Sequence, residues 1–115
     1  MNIGTLAFAL LTAHALADFP LQTDNMAANK FDDAIVRGLH AWVHMLAVAV
    51  VLVPIWPGHA AVGMAALSVF VGHFLIDTRR WAEPKDGFKA YPIAVDQSLH
   101  LAWIFAVAVN VAPLA

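Results

Sequence analysis

The sequence predicts an all-α integral membrane protein, a polytopic four-helix bundle built from two repeated helical hairpins. Of its 115 residues, 62% are hydrophobic and 12% are charged, whereas a soluble domain is nearer half apolar and a quarter charged. The apolar residues fall into four runs, each close to the length that a helix needs to cross a bilayer. A pattern of His and Asp that occurs twice predicts the repeat.

We expect a single membrane domain with four spans, separated by segments rich in proline, glycine and charge. The predicted spans cover residues 3–19, 37–56, 60–77 and 94–112. Pro20 ends the first span because proline cannot continue a helix without losing a hydrogen bond. After it, Asp24 is expected to cap a short helix that is interfacial or extends the second span. A tight turn at 56–59 and a polar loop at 82–93 separate the remaining spans.

The repeat is carried by the pattern H-x-L-x-D, which ends the first and third apolar runs at residues 14–18 and 73–77. On a helix, residues four apart share one face. The next run opens in each case with an answering pair at the same spacing, and these pairs are His40 with His44 and Asp96 with His100. The sequence therefore predicts two repeat halves, 1–57 and 58–115.

The basic residues predict the orientation of the spans. All six lie between spans one and two or between spans three and four, and they are Lys30, Arg37, Arg79, Arg80, Lys85 and Lys89. Because basic loops stay in the cytoplasm, both termini are predicted to lie outside. This topology places all four pairs in one layer at the cytoplasmic edge of the membrane.

We interpret this layer as a metal site. Ionisable groups inside a membrane are rare because each is costly unless it is paired or wet. Imidazole and carboxylate groups on facing helices can reach one divalent ion. The predicted ligands are His14, Asp18, His40, His44, His73, Asp77, Asp96 and His100. The chain has no Cys, which favours zinc, iron or manganese over copper(I). Eight ligands predict either two ions or an outer set that orients the coordinating imidazoles.

A metal at the membrane–cytosol edge could activate water, which predicts hydrolysis of a lipid or of a membrane-proximal ester or phosphoester. Asp18, Asp77 and Asp96 are the candidate catalytic residues, since a carboxylate left outside the coordination would act as the general base. Gln22 and Gln97 flank the layer, where they either bind substrate or form interfacial hydrogen bonds. Membrane lipids are therefore expected partners, whereas a net charge of −2 gives no reason to expect nucleic acid.

Other readings of the same residues stay open. The layer could be a polar latch, in which His–Asp and Arg–Asp pairs tie the helices together, with Arg37, Arg79 and Arg80 close by. It could also belong to a metal or proton transporter or sensor, or it could ligate haem through paired His. Few polar residues occur in the spans outside the layer, which weighs against transport. His59, in the opposite turn, is expected to be a solvated loop residue.

Small residues predict close helix contacts and self-association. Gly63 and Gly72 would let neighbouring helices approach closely. Exposed small residues would also favour a homo-oligomer, and the candidates are Gly4, Gly63 and Ala66.

Taken together, these motifs resemble domain-of-unknown-function family 3307, a family of small prokaryotic membrane proteins. The resemblance rests on H-x-L-x-D-F-x-x-Q-T-D from His14, on the second H-x-L-x-D from His73 and on D-Q-x-x-H from Asp96, together with Lys30, His40 and His44. It covers nearly the whole chain and implies a multi-pass protein of the prokaryotic inner membrane, without an established activity. The family often has a Lys shortly after the second H-x-L-x-D, where this chain has Arg79 and Arg80. The His/Asp pattern is also similar to that of membrane-bound metal-dependent hydrolases.

Overall fold

The computed structural model describes residues 1–56, 60–79 and 92–114. Within these ranges the chain is helical and contains no strand, which confirms the all-α prediction. The helices are α1 (Ile3–Asp18), α2 (Asp24–Asn29), α3 (Ala34–Leu52), α4 (Ala60–Asp77) and α5 (Pro92–Val111), followed by a 3₁₀ turn at Ala112–Leu114. Several predicted features lie outside the described residues, namely His59 and most of its turn, Arg80, and nearly all of the polar loop with Lys85 and Lys89.

Three helical segments are long and apolar enough to cross a membrane. They are Ala34–Leu52, Ala60–Asp77 and Ala94–Leu114, with mean hydropathies of 1.8, 1.7 and 1.4. The helix α1 is apolar but has only 16 residues. Large side chains face outward along these helices, for example Phe8, Ile35 and Val50, which are 72%, 77% and 71% exposed. Helices that are apolar all round are typical of membrane proteins, so the structure agrees with a membrane location.

Polar caps decide where the first helices begin. Asn2 accepts a hydrogen bond from the backbone N–H of Thr5 at 2.7 Å and so starts α1. For α2 the prediction was wrong by one residue, because Thr23 is the N-cap and Asp24 is the first helical residue. Asp33 accepts hydrogen bonds from the first turn of α3, and this cap starts the helix three residues before the predicted position 37.

The four apolar helices enclose a core that is apolar at one end and polar at the other. The helix α1 packs against α3 and α5, α4 packs against the same two helices, and α2 packs on α3. The apolar end includes the fully buried side chains of Leu6, Leu10, Val48 and Leu52. The polar end is formed where α1 and α4 finish and where α3 and α5 begin, so the helix directions gather the His and Asp residues in one place.

Of the predicted small-residue contacts, the structure supports the one at Gly72. A Cβ atom there would overlap the indole of Trp103, which donates a hydrogen bond from Nε1 to the carbonyl oxygen of Ser68 at 2.9 Å. The prediction is wrong for Gly63, because nothing lies within 4 Å of a Cβ built there. Ala66 is also not exposed as expected, since it is buried in the apolar core.

Candidate metal centre

All eight predicted ligands lie together at the polar end of the helices. Each is at most 7% exposed, and the set comprises His14, Asp18, His40, His44, His73, Asp77, Asp96 and His100. Each apolar helix contributes two of them at a spacing of four residues. Buried polar groups of this kind need partners inside the protein, so the contacts among them define what the site can do.

In the first half of the chain, three imidazoles surround one carboxylate. Asp18 Oδ2 lies 3.1 Å from Nε2 of His14, one turn earlier on α1. Asp18 Oδ1 lies 3.1 Å from Nε2 of His40 and 3.2 Å from Nε2 of His44, both on α3. The carboxylate at the end of α1 is therefore held by its own helix and by the next apolar helix.

The second half places imidazoles around Asp77 in a similar way. Asp77 Oδ2 lies 3.0 Å from Nε2 of His73 on the same helix. Asp77 Oδ1 lies 3.3 Å from Nε2 of His100 on α5. A longer distance of 3.8 Å joins Asp77 Oδ2 to Nε2 of His40 across the two halves. The two carboxylates thus form adjacent parts of one polar cluster.

Backbone carbonyl groups fix the tautomers of two of these imidazoles. Nδ1 of His44 donates to the carbonyl oxygen of His40 at 3.1 Å, and Nδ1 of His100 donates to that of Asp96 at 2.8 Å. A neutral imidazole with a proton on Nδ1 has only a lone pair on Nε2. In both rings that lone pair lies beside a carboxylate oxygen, and two such groups repel each other unless a proton or a metal ion lies between them. A backbone bond from the second ring nitrogen is also how proteins orient metal-binding histidines.

Several atoms of the cluster have no hydrogen-bond partner in the described part of the chain. They are Nδ1 of His40, Nε2 of His44, His73 and His100, both carboxylate oxygens of Asp77 and Oδ1 of Asp96. Ligand atoms that surround a tetrahedral ion at 2.0–2.1 Å are about 3.3 Å apart. The distances of 3.0 Å and 3.3 Å from Asp77 to its two imidazoles fit that value. The donor atoms are therefore close enough for coordination although they do not hydrogen-bond to one another.

Two groups of residues could hold an ion, and in each the ligand atoms lie within 4.8 Å of one another. The first group is Asp18, His40, His44 and His73, and the second is His73, Asp77 and His100. His73 belongs to both groups, and its ring stacks on that of His44 with centroids 3.5 Å apart. The donor atoms at the polar end of the helices are therefore positioned so that they could hold a metal ion.

His14 and Asp96 lie beside these groups and are connected by Gln97. The side-chain oxygen of Gln97 is 3.2 Å from Nε2 of His14. Its amide nitrogen donates to Asp96 Oδ2 at 3.2 Å and to Asp18 Oδ2 at 3.5 Å. Gln97 therefore contacts both halves of the cluster, and its predicted role in binding substrate stays a prediction.

Gln22 lies further from the ligand groups and connects them to Lys30, a residue that was not among the predicted site residues. Its amide donates to the backbone carbonyl of Asp18 at 3.0 Å, and its oxygen accepts from Lys30 Nζ at 3.0 Å. Lys30 is buried, with only 8% of its surface exposed. The one sequence signal for this residue is its place in the motif set that carries the family resemblance.

The two described arginines differ in their relation to the cluster. Arg79 Nε lies 3.8 Å from Asp96 Oδ1. Arg37 instead donates to the backbone carbonyl oxygens of Lys30 and Phe31 at 3.4 Å and 3.1 Å. Of the Arg–Asp pairs that the latch reading expects, the described residues therefore supply one long pair.

The helices and the cluster together define a class of protein: an all-helical chain with membrane-length apolar helices and a buried His/Asp cluster that could hold a metal ion. The family model described as Protein of unknown function (DUF3307) matches residues 6–115, nearly the whole chain. The chain therefore belongs to this family. No curated protein and no solved structure matches it.

Proposed function

We propose that this protein is an integral membrane metalloprotein whose centre hydrolyses a lipid or a membrane-proximal ester or phosphoester. The observation that carries the proposal is the convergence of the buried Nε2 atoms of His44, His73 and His100 on oxygens of Asp18 and Asp77 without hydrogen bonds between them. The backbone bonds at Nδ1 of His44 and His100 support it, because they leave a lone pair that a cation would satisfy. Nitrogen and oxygen donors without thiolates suit zinc, iron or manganese.

The two ligand groups suit different roles. Four donors close a tetrahedral zinc site, whereas three donors leave a position for water or substrate. His73 belongs to both groups, and because its neutral ring has one free lone pair, it completes only one of them at a time. The second group has three donors, and Asp96 Oδ1 nearby has no hydrogen-bond partner among the described residues. A divalent ion there would supply Lewis acidity and make water a better nucleophile. We propose Asp96 as the general base and assign Asp18 and Asp77 to coordination.

The same proposal includes a four-helix membrane bundle of two repeated hairpins. At 1.5 Å per residue, α1 would be about 24 Å long, enough for a thin or locally thinned bilayer. The repeat is supported by the similar distances from Asp18 to His44 and from Asp77 to His100, 3.2 Å and 3.3 Å. We place the cluster at the cytoplasmic face of a prokaryotic inner membrane, with both termini outside.

Elemental analysis of the purified, detergent-solubilised protein tests the metal centre. We expect one or two equivalents of zinc, iron or manganese per chain, which are removed by a chelator. The variant H44A should lose most of the metal, while H59A, which changes the only His that is not among the eight predicted ligands, should keep it. A chain that binds no stoichiometric metal after loading with each of the three ions would refute the centre.

Hydrolysis is tested separately with two chromogenic substrates, an aryl phosphodiester and an aryl carboxylate ester. Activity should require the metal and should fall by roughly 10²–10⁴ in D96N, while the metal content of that variant stays near the wild-type value. If the metal-loaded protein cleaves neither substrate nor any membrane lipid offered in vesicles, the hydrolase assignment is wrong even if the metal is present.

A polar latch is the second candidate, and the hydrogen bond of 3.1 Å between His40 Nε2 and Asp18 Oδ1 favours it. A latch predicts no bound metal and a melting temperature that a chelator leaves unchanged. Transport is less well supported, because the buried polar residues in the described ranges are the eight cluster members and Lys30. The rest of the described core is apolar and offers no chain of polar groups toward the other end.

A further inference from the structure

Three positively charged side chains contact Phe31 beside the candidate metal centre. The guanidinium carbon of Arg79 lies 3.6 Å from the centre of the Phe31 ring, and Lys30 Nζ lies 5.1 Å from it. Arg37 donates to the backbone carbonyl of the same residue at 3.1 Å. We call Lys30, Arg37 and Arg79 the basic triad.

Among the residues that the structure describes, the charges of the basic triad have little compensation. Within the described ranges, the triad makes one ion pair, from Arg79 Nε to Asp96 Oδ1 at 3.8 Å. Lys30 is buried, and its ammonium group, which has three donors, makes one hydrogen bond to a described residue, the neutral amide of Gln22. A buried cation without a counter-charge is costly, so the triad favours a bound anion.

Both arginines also have unused donors. The Nε atoms of Arg37 and Arg79 are buried and have no hydrogen-bond partner in the part of the chain that the structure describes. Arg79 has a φ angle of 54°, which is uncommon for a residue other than glycine and is found where other interactions impose it. Its guanidinium plane is held over Phe31, so the group is positioned rather than free in solvent.

The basic triad adjoins the metal centre through two contacts. Lys30 donates a hydrogen bond to Gln22, and Gln22 in turn donates one to the backbone carbonyl oxygen of Asp18. Arg79 faces Asp96, the proposed general base. An anion held by the triad would therefore lie next to the cluster without replacing any of its ligands.

We infer that the basic triad binds a phosphate group. Two guanidinium groups and one ammonium group offer more donors than the two oxygens of a carboxylate use, and they match the several oxygens of a phosphate. That group could belong to a lipid headgroup or to free phosphate. The anion site itself needs no metal; its role in holding the substrate's phosphate for cleavage rests on the proposed function.

The test measures binding to the full chain in a neutral detergent at constant pH and ionic strength. Inorganic phosphate, dioctanoyl phosphatidic acid and dioctanoylglycerol are titrated into chelator-treated and zinc-loaded protein. The variants K30M and R79N remove one charge each, and Asn tolerates positive φ. K30R and R79K keep the charge and serve as matched controls, and thermal melting shows that each variant is folded.

We expect the chelator-treated protein to bind phosphatidic acid but not dioctanoylglycerol. The affinity for phosphatidic acid should be about tenfold lower in K30M and R79N than in the control variants K30R and R79K. Equal binding of inorganic phosphate would identify free phosphate as sufficient, whereas binding of phosphatidic acid alone would identify a lipid headgroup, and both results support the site. Loss of binding on chelation, with normal binding in K30M and R79N, would assign the anion to the metal and overturn the inference. Absence of binding in the folded wild-type protein would also overturn it. If binding persists without metal while no hydrolysis is found, the anion site stands and only the hydrolase proposal fails.

Discussion

His73 is the imidazole shared by the two ligand groups, whereas its counterpart in the other half, His14, belongs to neither. The sequence pattern alone treats these two residues as equivalent. The geometry separates them, because Nε2 of His14 faces Asp18 and Gln97 rather than a second ligand group. We therefore predict that H73A loses most of the bound metal, while H14A retains a larger share. Metal content by elemental analysis, after identical loading and desalting, measures the difference.

The variant H59A is the control for this comparison, since it removes a His outside the cluster and should bind metal like the wild type. Equal losses in H14A and H73A would mean that the two halves bind metal equivalently and that His73 is not shared.

The imidazole ligands also predict the pH dependence of metal binding. An imidazole must be neutral to coordinate a metal, and its reference pKa is about 6.5. Protons therefore compete with the metal as the pH falls, so bound metal should be retained at pH 8 and lost progressively below about pH 6. Retention is measured by equilibrium dialysis at a series of pH values, with melting temperature recorded in parallel. Metal content that stays constant down to about pH 5 would contradict coordination by His.

At the scale of single residues, the sequence could predict which His and Asp side chains gather at the polar end, because spacing and topology determine which side chains meet. Residues four apart share a helix face, and the four pairs fall where the helices start or end. The sequence could not predict which members lie within ligand distance, because this depends on rotamers and on helix packing. For this reason the sequence did not predict that Asp96 belongs to neither ligand group or that Lys30 is buried.

Among the helices, the contact between α4 and α5 depends on the absence of a side chain at Gly72. A methyl group there would displace the indole of Trp103 and break its hydrogen bond to Ser68. We predict that G72A lowers the melting temperature in detergent, because overpacking of this kind costs about 1–3 kcal/mol.

The variant G63A is a matched control for G72A, since nothing lies within 4 Å of a Cβ at that position of the same helix. Both substitutions gain the same helix propensity, about 1 kcal/mol. The difference between the melting temperatures of the two variants therefore reports the clash with Trp103. If G72A is as stable as G63A, the close packing of Trp103 on α4 is wrong.

The bounds of the helices could be predicted where a strong local signal exists. The third apolar run and α4 both cover residues 60–77, and α1 ends before Pro20 as expected. α3 starts earlier than the predicted span because the cap at Asp33 sets the beginning of the helix, whereas hydrophobicity indicates only where the apolar run begins. α3 ends at Leu52, before Pro54. Because the residues on both sides of Pro54 are apolar, the apolar pattern does not indicate that the helix ends there.

For the whole molecule, the distribution of charge predicts the orientation in the membrane. All six basic residues lie in the connections between the first and second or the third and fourth apolar runs, or at the end of a run that adjoins them, so we predict that both termini face away from the cytoplasm. Reporter fusions after Ala115 that are active only outside the cytoplasm would agree, and fusions at Asp32 should give the opposite result. A C-terminal fusion that is active only in the cytoplasm would contradict this topology.

Asp18 and Asp77, the two carboxylates with the most imidazole neighbours, each have imidazole partners in their own half of the chain. Asp18 contacts His40 and His44 on the next apolar helix, and Asp77 contacts His100 in the same way. During synthesis, α1 and α3 leave the ribosome before α4 exists, and an unpartnered carboxylate would oppose their entry into the lipid. We predict that residues 1–57 alone insert as a hairpin and that replacing both His40 and His44 by Ala impairs this insertion. Membrane extraction and protease protection measure the insertion of both forms. Equal insertion of the two forms would contradict the prediction. The pairing that builds the cluster would then also serve biogenesis, because the first hairpin can enter the membrane before the second has been translated.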